Sequence, residues 1–369
     1  MANQFVTPQA VARDAAVALV MRSPTLNYVS RRVEAPFANK VGDTVKVKVS
    51  PAIDEASEFS GTTVASDITV RSVDVELQHH FYVRHDLSST EMKLELDDFT
   101  ADVVLPAIGS ISTSIDKYLV RKLSGGFRRN VSGTITDRLA VVDDVLAGQK
   151  VLNDGYIPRE GRVGLIDTTA EASLLALEQF TSRNYAAEGV LPRLSIGQRL
   201  GATWVPNPNL GTFARGDVAG TVLATGTEGN STVALADFTA ATGTVYEGTA
   251  LVIAGDTQRF VVTADTAIVG NDIAVLPIYP ALPHSPDGAA VTFEAAGYEN
   301  ILYHPNAVAC AVIAPAPIAG TDSSTYTMEN VSVRVSMDGS VSSLSNSVVF
   351  DVFVGAKVVQ PAAGVIVGS

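Results

Sequence analysis

The chain has 369 residues, 46% of them hydrophobic, and a net charge of −13. It is too long for one core and too apolar to be disordered, so two or more domains are expected. The acid excess argues against tight binding of nucleic acid, which needs clustered Lys and Arg. No uninterrupted apolar run reaches the roughly 18 residues of a membrane span, and the N-terminus lacks the basic-then-apolar pattern of a secretory signal.

Thr7-Pro8 reads as a cap followed by proline in a first helical turn. The helix should run to Met21, with Val11, Ala15, Ala18 and Leu19 on one face and Ser23-Pro24 ending it. Residues 22–40 show no periodicity and read as an arm lying on something else. Thr44–Val49 alternates strictly, with Val45, Val47 and Val49 opposite Lys46 and Lys48. Val73–Val83 alternates too, placing Val73, Val75, Leu77, His79, Phe81 and Val83 on one face. Together they read as a long hairpin that must bury its apolar face on another molecule or domain, because a two-stranded hairpin is marginal alone.

Ser88 and Glu91 form a capping-box pattern, and Asp97 or Asp98 offers a second helix start. From there Phe99, Val103, Ile108, Ile111, Ile115, Leu119 and Leu123 keep helical spacing along one stripe. Gly125 and Gly126 end it, Arg121 and Lys122 suit its C-terminus, and Pro106 predicts a bend. Such a helix would be roughly 37 Å long, a spine on which sheets can pack.

Leu139–Leu146 is apolar and 147–166 reads as loop. Thr168–Ser182 reads as a helix capped by Thr168 or Thr169, with Leu174, Leu175, Leu177 and Phe180 as its stripe. A short helix or turn is expected at 194–200, before the extended Trp204–Pro208. From Gly211 the composition shifts to short Val- and Thr-rich runs separated by Gly, Asp and Asn, which predicts a small all-β barrel or sandwich. Asn300–Pro317 reads as buried strand, and Val331–Ser336 and Ser347–Gln360 as closing strands. Cys310, the single cysteine, sits in AVACAVIA and reads as a buried thiol; it permits no internal disulfide.

Chemistry-bearing motifs are scarce. The chain contains no phosphate-binding glycine–lysine loop, no GxSxG, no HExxH and no paired CxxC. The tempting metal cluster is HHFYVRHD at 79–86, but alternation along a strand puts His79 and His80 on opposite faces. Asp97 and Asp98 are explained as helix-start residues. The pattern therefore calls for no catalytic residue, no metal and no cofactor: it reads as a building block and not an enzyme.

The order of the parts resembles a known family. The arm, the hairpin opening on VGDTVKVKV, the spine entered through LSSTEMKLELDDF and continued by VLPAIGSISTSIDKYL, and the ending DVFVGAKVVQP resemble major capsid proteins of tailed bacteriophages, with the Hong Kong 97-like α+β fold. LVIAGDTQRFVVTAD, IAVLPIYPAL and YENILYHPNAVACAVI look like the podovirus-type subgroup with an inserted β-domain. The resemblance leads one to expect an arginine shortly before Asp351, where this chain has Asn346–Phe350.

It implies an N-arm (1–35), an extended loop (36–87), a peripheral domain of spine helix (88–135) and closing strands (330–369), and an axial domain (136–210 and 299–329) interrupted by the insertion (211–298). It further implies self-assembly as hexamers and pentamers into an icosahedral shell enclosing double-stranded DNA. The hairpin residues Val45, Lys46, Val47, Lys48, Val75 and Leu77 would then lie between subunits. Expected partners are a separate scaffolding protein, a portal and decoration proteins, with location in a virion assembled in the host bacterial cytoplasm. An encapsulin-like compartment and a glycan-binding β-protein are the other readings.

Overall fold

The computed structural model describes residues 7–31, 44–49, 71–88, 99–127, 129–130, 142–176, 196–210, 216–247, 249–256, 259–279, 281–293, 300–318, 320–340 and 345–367. Its contacts divide the chain into two units, Met1–Asp116 with Val308–Val359 and Lys117–Ala307 with Gln360–Ser369.

The first unit is built on a five-stranded sheet in the order β18 (Asp322–Met328), β19 (Val331–Ser340), β17 (Val308–Ile313), β20 (Ser345–Val358) and β3 (His79–Ser88). β20 is the long member. One edge pairs with β3, from Ser345–Ser88 to Val354–His79. The other meets β19 as far as Asp351 and then β17 from Phe353 to Val358. Residues 350–356 are buried without interruption, because both faces of the strand are covered.

β18 and β19 are joined through Glu329 and Asn330, both at positive φ (48° and 62°), the geometry of a tight hairpin turn. α1 (Pro8–Arg22) packs on these two strands. The Thr7 hydroxyl accepts from the Ala10 N–H at 3.4 Å, and Val11, Ala12, Ala15, Ala16 and Leu19 are buried. Of the stretch 22–40, read as an arm lying on something else, the described part stays on its own chain at Ser30, whose N–H donates to the Val308 carbonyl at 3.0 Å.

Ser88, read as a helix cap, is instead the last residue of β3 and pairs with Ser345; Glu91, Asp97 and Asp98 lie outside the described residues. The long helix begins with a π turn over Thr100–Val104 and continues as α2 (Leu105–Gly126). A bend was expected at Pro106; the structure has a π turn just before it. Proline has no N–H and crowds the carbonyl four residues back, and the wider turn, closed by Leu105 N–H to Thr100 O, seats it.

Val103, Ile108, Ile111, Ile115, Leu119 and Leu123 are all buried, whereas Phe99 is only half-buried. α1 and the turn after it are tied to α2 by polar groups. Arg22 Nη1 donates to Leu105 O at 2.9 Å, Ser23 and Ser112 share a hydroxyl bond of 2.8 Å, and the buried Asp116 accepts from Thr25 N–H at 3.1 Å. By length and composition Thr100–Gly126 would suffice to cross a membrane, but 61% of the qualifying window is buried inside the fold.

The second unit contains a six-stranded sheet in the order β4 (Arg129–Asn130), β21 (Gly364–Ile366), β16 (Ile301–Tyr303), β5 (Val163–Ile166), β7 (Ala202–Pro206) and β6 (Gln198–Arg199). Several expectations are corrected here. The stretch read as loop holds α3 (Val142–Asp154) and β5. The helix face is Val145, Gly148 and Leu152, and Gly148 hides it from a hydrophobicity count; a Cβ there would lie 2.8 Å from the Val367 side chain.

α4 (Thr168–Leu175) is capped by Asp167, whose Oδ2 accepts from Thr169 N–H at 2.9 Å, and not by either threonine; Leu177 and Phe180 lie outside the described residues. Of 194–200, read as a short helix or turn, Gln198–Arg199 is a strand and the turn falls at Leu200 and Gly201, at φ 50° and 77°, closing a hairpin over 198–206. The last residues, grouped by sequence with the closing strands of the first unit, turn at Pro361 and add β21 to this sheet.

Between β7 and β16 the chain leaves the sheet and forms a closed barrel. Its strands, in order around the wall, are β11 (Ala250–Ile253), β12 (Arg259–Val262), β14 (Ile273–Tyr279), β9 (Thr232–Phe238), β8 (Gly220–Thr225) and β15 (Asp287–Phe293). A two-stranded pair, β10 (Thr242–Val245) and β13 (Thr266–Val269), accompanies it. The first and last barrel strands pair antiparallel, which brings the two ends of the segment to the same rim.

Two predictions test this architecture. Ile111 is 1% exposed. Ile111→Asp should cost roughly 3–5 kcal/mol by burying an unpaired charge, seen as a lowered urea midpoint or insoluble protein; an unchanged midpoint would refute the stripe. Among the described residues, the barrel core draws only on those between Val218 and Phe293, at roughly 1.5–3 kcal/mol for each fully buried large side chain. The 211–298 fragment should therefore give dispersed amide resonances and a cooperative melt, and a random-coil spectrum would count against it.

Candidate functional site

The hairpin is β1 (Thr44–Val49) against β2 (Arg71–Glu76), in a register that pairs Val45 with Val75, Lys46 with Asp74 and Val47 with Val73. The pairing sets all these valines on one face. Its root is buried in its own unit. Val47 and Val75, both fully buried, pack with Ala309 and Val359, and Leu77 packs with Ala311, Ile313 and Phe353. These three side chains are thus not available to a neighbouring subunit, a correction to the expected contact set. Lys46 is exposed. The side chains of Val45 and Lys48 lie outside the described residues.

The chain passes from β2 to β3 directly over Gly355. A Cβ at that position would sit 2.2 Å from the Glu76 carbonyl oxygen, so only glycine lets the hairpin root cross β20. Sequence alone shows Gly355 merely as a break between two apolar runs.

A polar cluster holds the β3 edge. Asp351 is 1% exposed and stands opposite Arg334 in the β19–β20 register. Arg334 donates from Nε to Asp351 Oδ1 at 2.9 Å and from Nη2 to Asp351 Oδ2, a bidentate pair, and from Nη1 to the Ala316 carbonyl. His80 Nε2 lies 2.8 Å from Asp351 Oδ2, and its ring packs edge-on to Phe353 with centroids 4.6 Å apart. Asp351 thus takes its arginine partner from the facing strand, and no arginine stands in Asn346–Phe350 just before it.

His79 is exposed and stacks on Phe81, on the other face from His80. Among the described residues no group of three or more His, Cys, Asp and Glu side chains is placed to hold a metal ion. Cys310 is fully buried, and burial pushes its thiol up to about 12.

A second polar cluster joins the end of α2 to the barrel. Lys122 Nζ donates to Glu247 Oε1, and Arg121 Nη2 to Asp265 Oδ1 at 3.3 Å. Asp265 Oδ1 also accepts from Glu247 N–H at 2.6 Å, linking the two pairs. The buried Arg259 donates from Nη1 to the Phe127 carbonyl at 2.9 Å, just past the helix end. Arg121 and Lys122 satisfy the helix-end rule by position, but their carboxylate partners come from the barrel.

Within the six-stranded unit, buried Arg162 donates to Asn153 Oδ1 at 3.0 Å, Pro158 O at 2.8 Å and Gln149 Oε1. Burial, with nearby Arg159, lowers its affinity for its proton. His304 is lowered mainly by burial, with Arg162 adding to the effect and a bond to the Glu160 backbone opposing it. These contacts staple a loop and place no nucleophile beside a base.

No protein-family model matches the chain, and no curated protein matches it. Among solved structures, the capsid of Ralstonia phage GP4 is 11% identical, with a TM-score of 0.47, over 93% of this chain and 87% of that one. A chain of Mycobacterium phage Che8 is 13% identical, with a TM-score of 0.44, over 99% and 93%. The virus-like particle from Pyrococcus furiosus is 8% identical, with a TM-score of 0.43, over 97% of each chain. Overlaps at these scores carry no argument about what the chain does.

The buried ion pair gives a direct test of the β3 edge. Arg334→Met should leave Asp351 buried without its bidentate partner and cost roughly 3–5 kcal/mol, read as a lowered denaturation midpoint. A midpoint within experimental error of the parent would refute the pairing.

Proposed function

We propose that this chain is a shell-forming structural protein, the major capsid protein of a tailed bacteriophage, which self-assembles into an icosahedral head around double-stranded DNA. The observation that carries the reading is the hairpin. Its root is buried on its own sheet at Val47, Val75 and Leu77, while residues 50–70, which join its two strands, lie outside the described residues. A two-stranded element needs a further surface to stabilise it, and a neighbouring copy would provide one. The ordered resemblance of arm, hairpin, spine and closing strands supports the same reading, as does the scarcity of reactive constellations among the described residues.

On this reading the barrel is the inserted domain of the podovirus-type subgroup. The subunits assemble as hexamers and pentamers in the host cytoplasm with a scaffolding protein and a portal, decoration proteins can bind outside, and the shell joins the virion. The net charge of −13 suits a container that must release its genome, since an acidic wall repels phosphate.

Negative-stain microscopy of the purified protein, with scaffold supplied if needed, should show closed shells of uniform size. Deleting Ala52–Ser66 should leave a folded monomer that forms none. Normal shells from the deletion would mean that the hairpin does not join subunits, and monomers from the parent chain under all assembly conditions would overturn the reading itself.

A further inference from the structure

The barrel core is self-contained: every side chain in its cluster comes from between Val218 and Phe293. Among the described residues, no side chain from outside this segment joins that core. The contacts described above at the end of α2 are of another kind. Lys122–Glu247 and Arg121–Asp265 are ion pairs, Asp265 couples them through the Glu247 N–H, and Arg259 reaches the Phe127 carbonyl. The Arg121–Asp265 pair is open to solvent, with side chains 43% and 55% exposed, whereas Lys122 and Glu247 are 21% and 31% exposed.

We infer that the barrel is an electrostatically latched module. The Arg121–Lys122 pair at the end of α2 grips Asp265 and Glu247 and sets the barrel's orientation without contributing to its fold. Three physical points lead there. A fold with its own closed core keeps its shape when an outside contact is lost. Exposed ion pairs are screened within roughly 3 Å at 1 M salt, so the grip is adjustable. And Asp265 serves both pairs, so losing one cation disturbs the partner of the other. Buried Arg259 is the fixed pivot, and the two outer pairs set the angle about it.

The inference stands apart from the shell-forming reading, since it concerns one chain in dilute solution. Spin labels on Glu228→Cys in the barrel and Lys150→Cys in α3 report the separation; both positions are exposed, and the native Cys310 is buried and will not label. Pulsed electron resonance on the full chain should give one narrow distance at low salt.

That distance should broaden or shift in the Arg121→Met, Lys122→Met double variant, and likewise in the parent at 1 M salt. The charge swap Lys122→Glu with Glu247→Lys should narrow it again, while amide protection in β9 stays at the parent level throughout. An unchanged distance in the double variant, or no recovery in the swap, would overturn the latch. Loss of β9 protection would also overturn it, because the pairs would then hold the fold and not the orientation.

Discussion

β20 is paired along both edges for most of its length, and the first unit follows from that constraint. A strand with two partners and two covered faces has no solvent side on which to place a charge. Asp351 nevertheless lies in its middle, so the fold must bring a cation to it; Arg334 arrives from the facing strand, with His80 on the other side. Charged groups in such places are tolerated only when paired and hydrogen-bonded. The same strand must also let the chain cross it on the way from the hairpin to β3, and Gly355 provides the gap. Sheet order, ion pair and hairpin root are thus three consequences of one strand having no free edge.

Much of this was legible locally. The alternation in TVKVKV fixed β1 and its apolar face, the spacing from Val103 to Leu123 fixed the buried stripe of α2, and the regular turns after Gly211 announced the barrel. What failed did so where a neighbour distant in sequence decides. Alternation gave the right face of the hairpin but not the identity of its cover, which is Ala309, Ala311 and Phe353 of the same chain. In VSVRVS, alternation puts Arg334 on a face with Ser332 and Ser336 but does not say what covers them, and both Arg334 and Ser336 are buried.

The second polar cluster escaped notice for the opposite reason. Arg121 and Lys122 already had a sufficient local explanation at the end of a helix, and nothing nearby asked for more. Their partners lie in the loops after β10 and before β13, more than a hundred residues away, in a segment whose own pattern speaks only of turns and apolar runs. A local rule that accounts for a residue can hide its tertiary role as effectively as the absence of any rule.

The distribution of charge completes the picture of the barrel. Between Gly216 and Phe293 the sequence has eight carboxylates and a single arginine, Arg259, with no lysine. That arginine is committed to the Phe127 carbonyl. Lysine or arginine facing the barrel's carboxylates must therefore come from outside it, and α2 supplies two, to Glu247 and Asp265. The barrel is selective about what it can rest against: a like-charged surface repels it, and one short cationic stretch at the end of a helix attracts it. If many copies assemble as proposed, neighbouring barrels repel one another wherever no cation stands between them, and phosphate is repelled as well. The excess that keeps the barrel off other acidic surfaces is the same one that gives it a defined seat on its own chain.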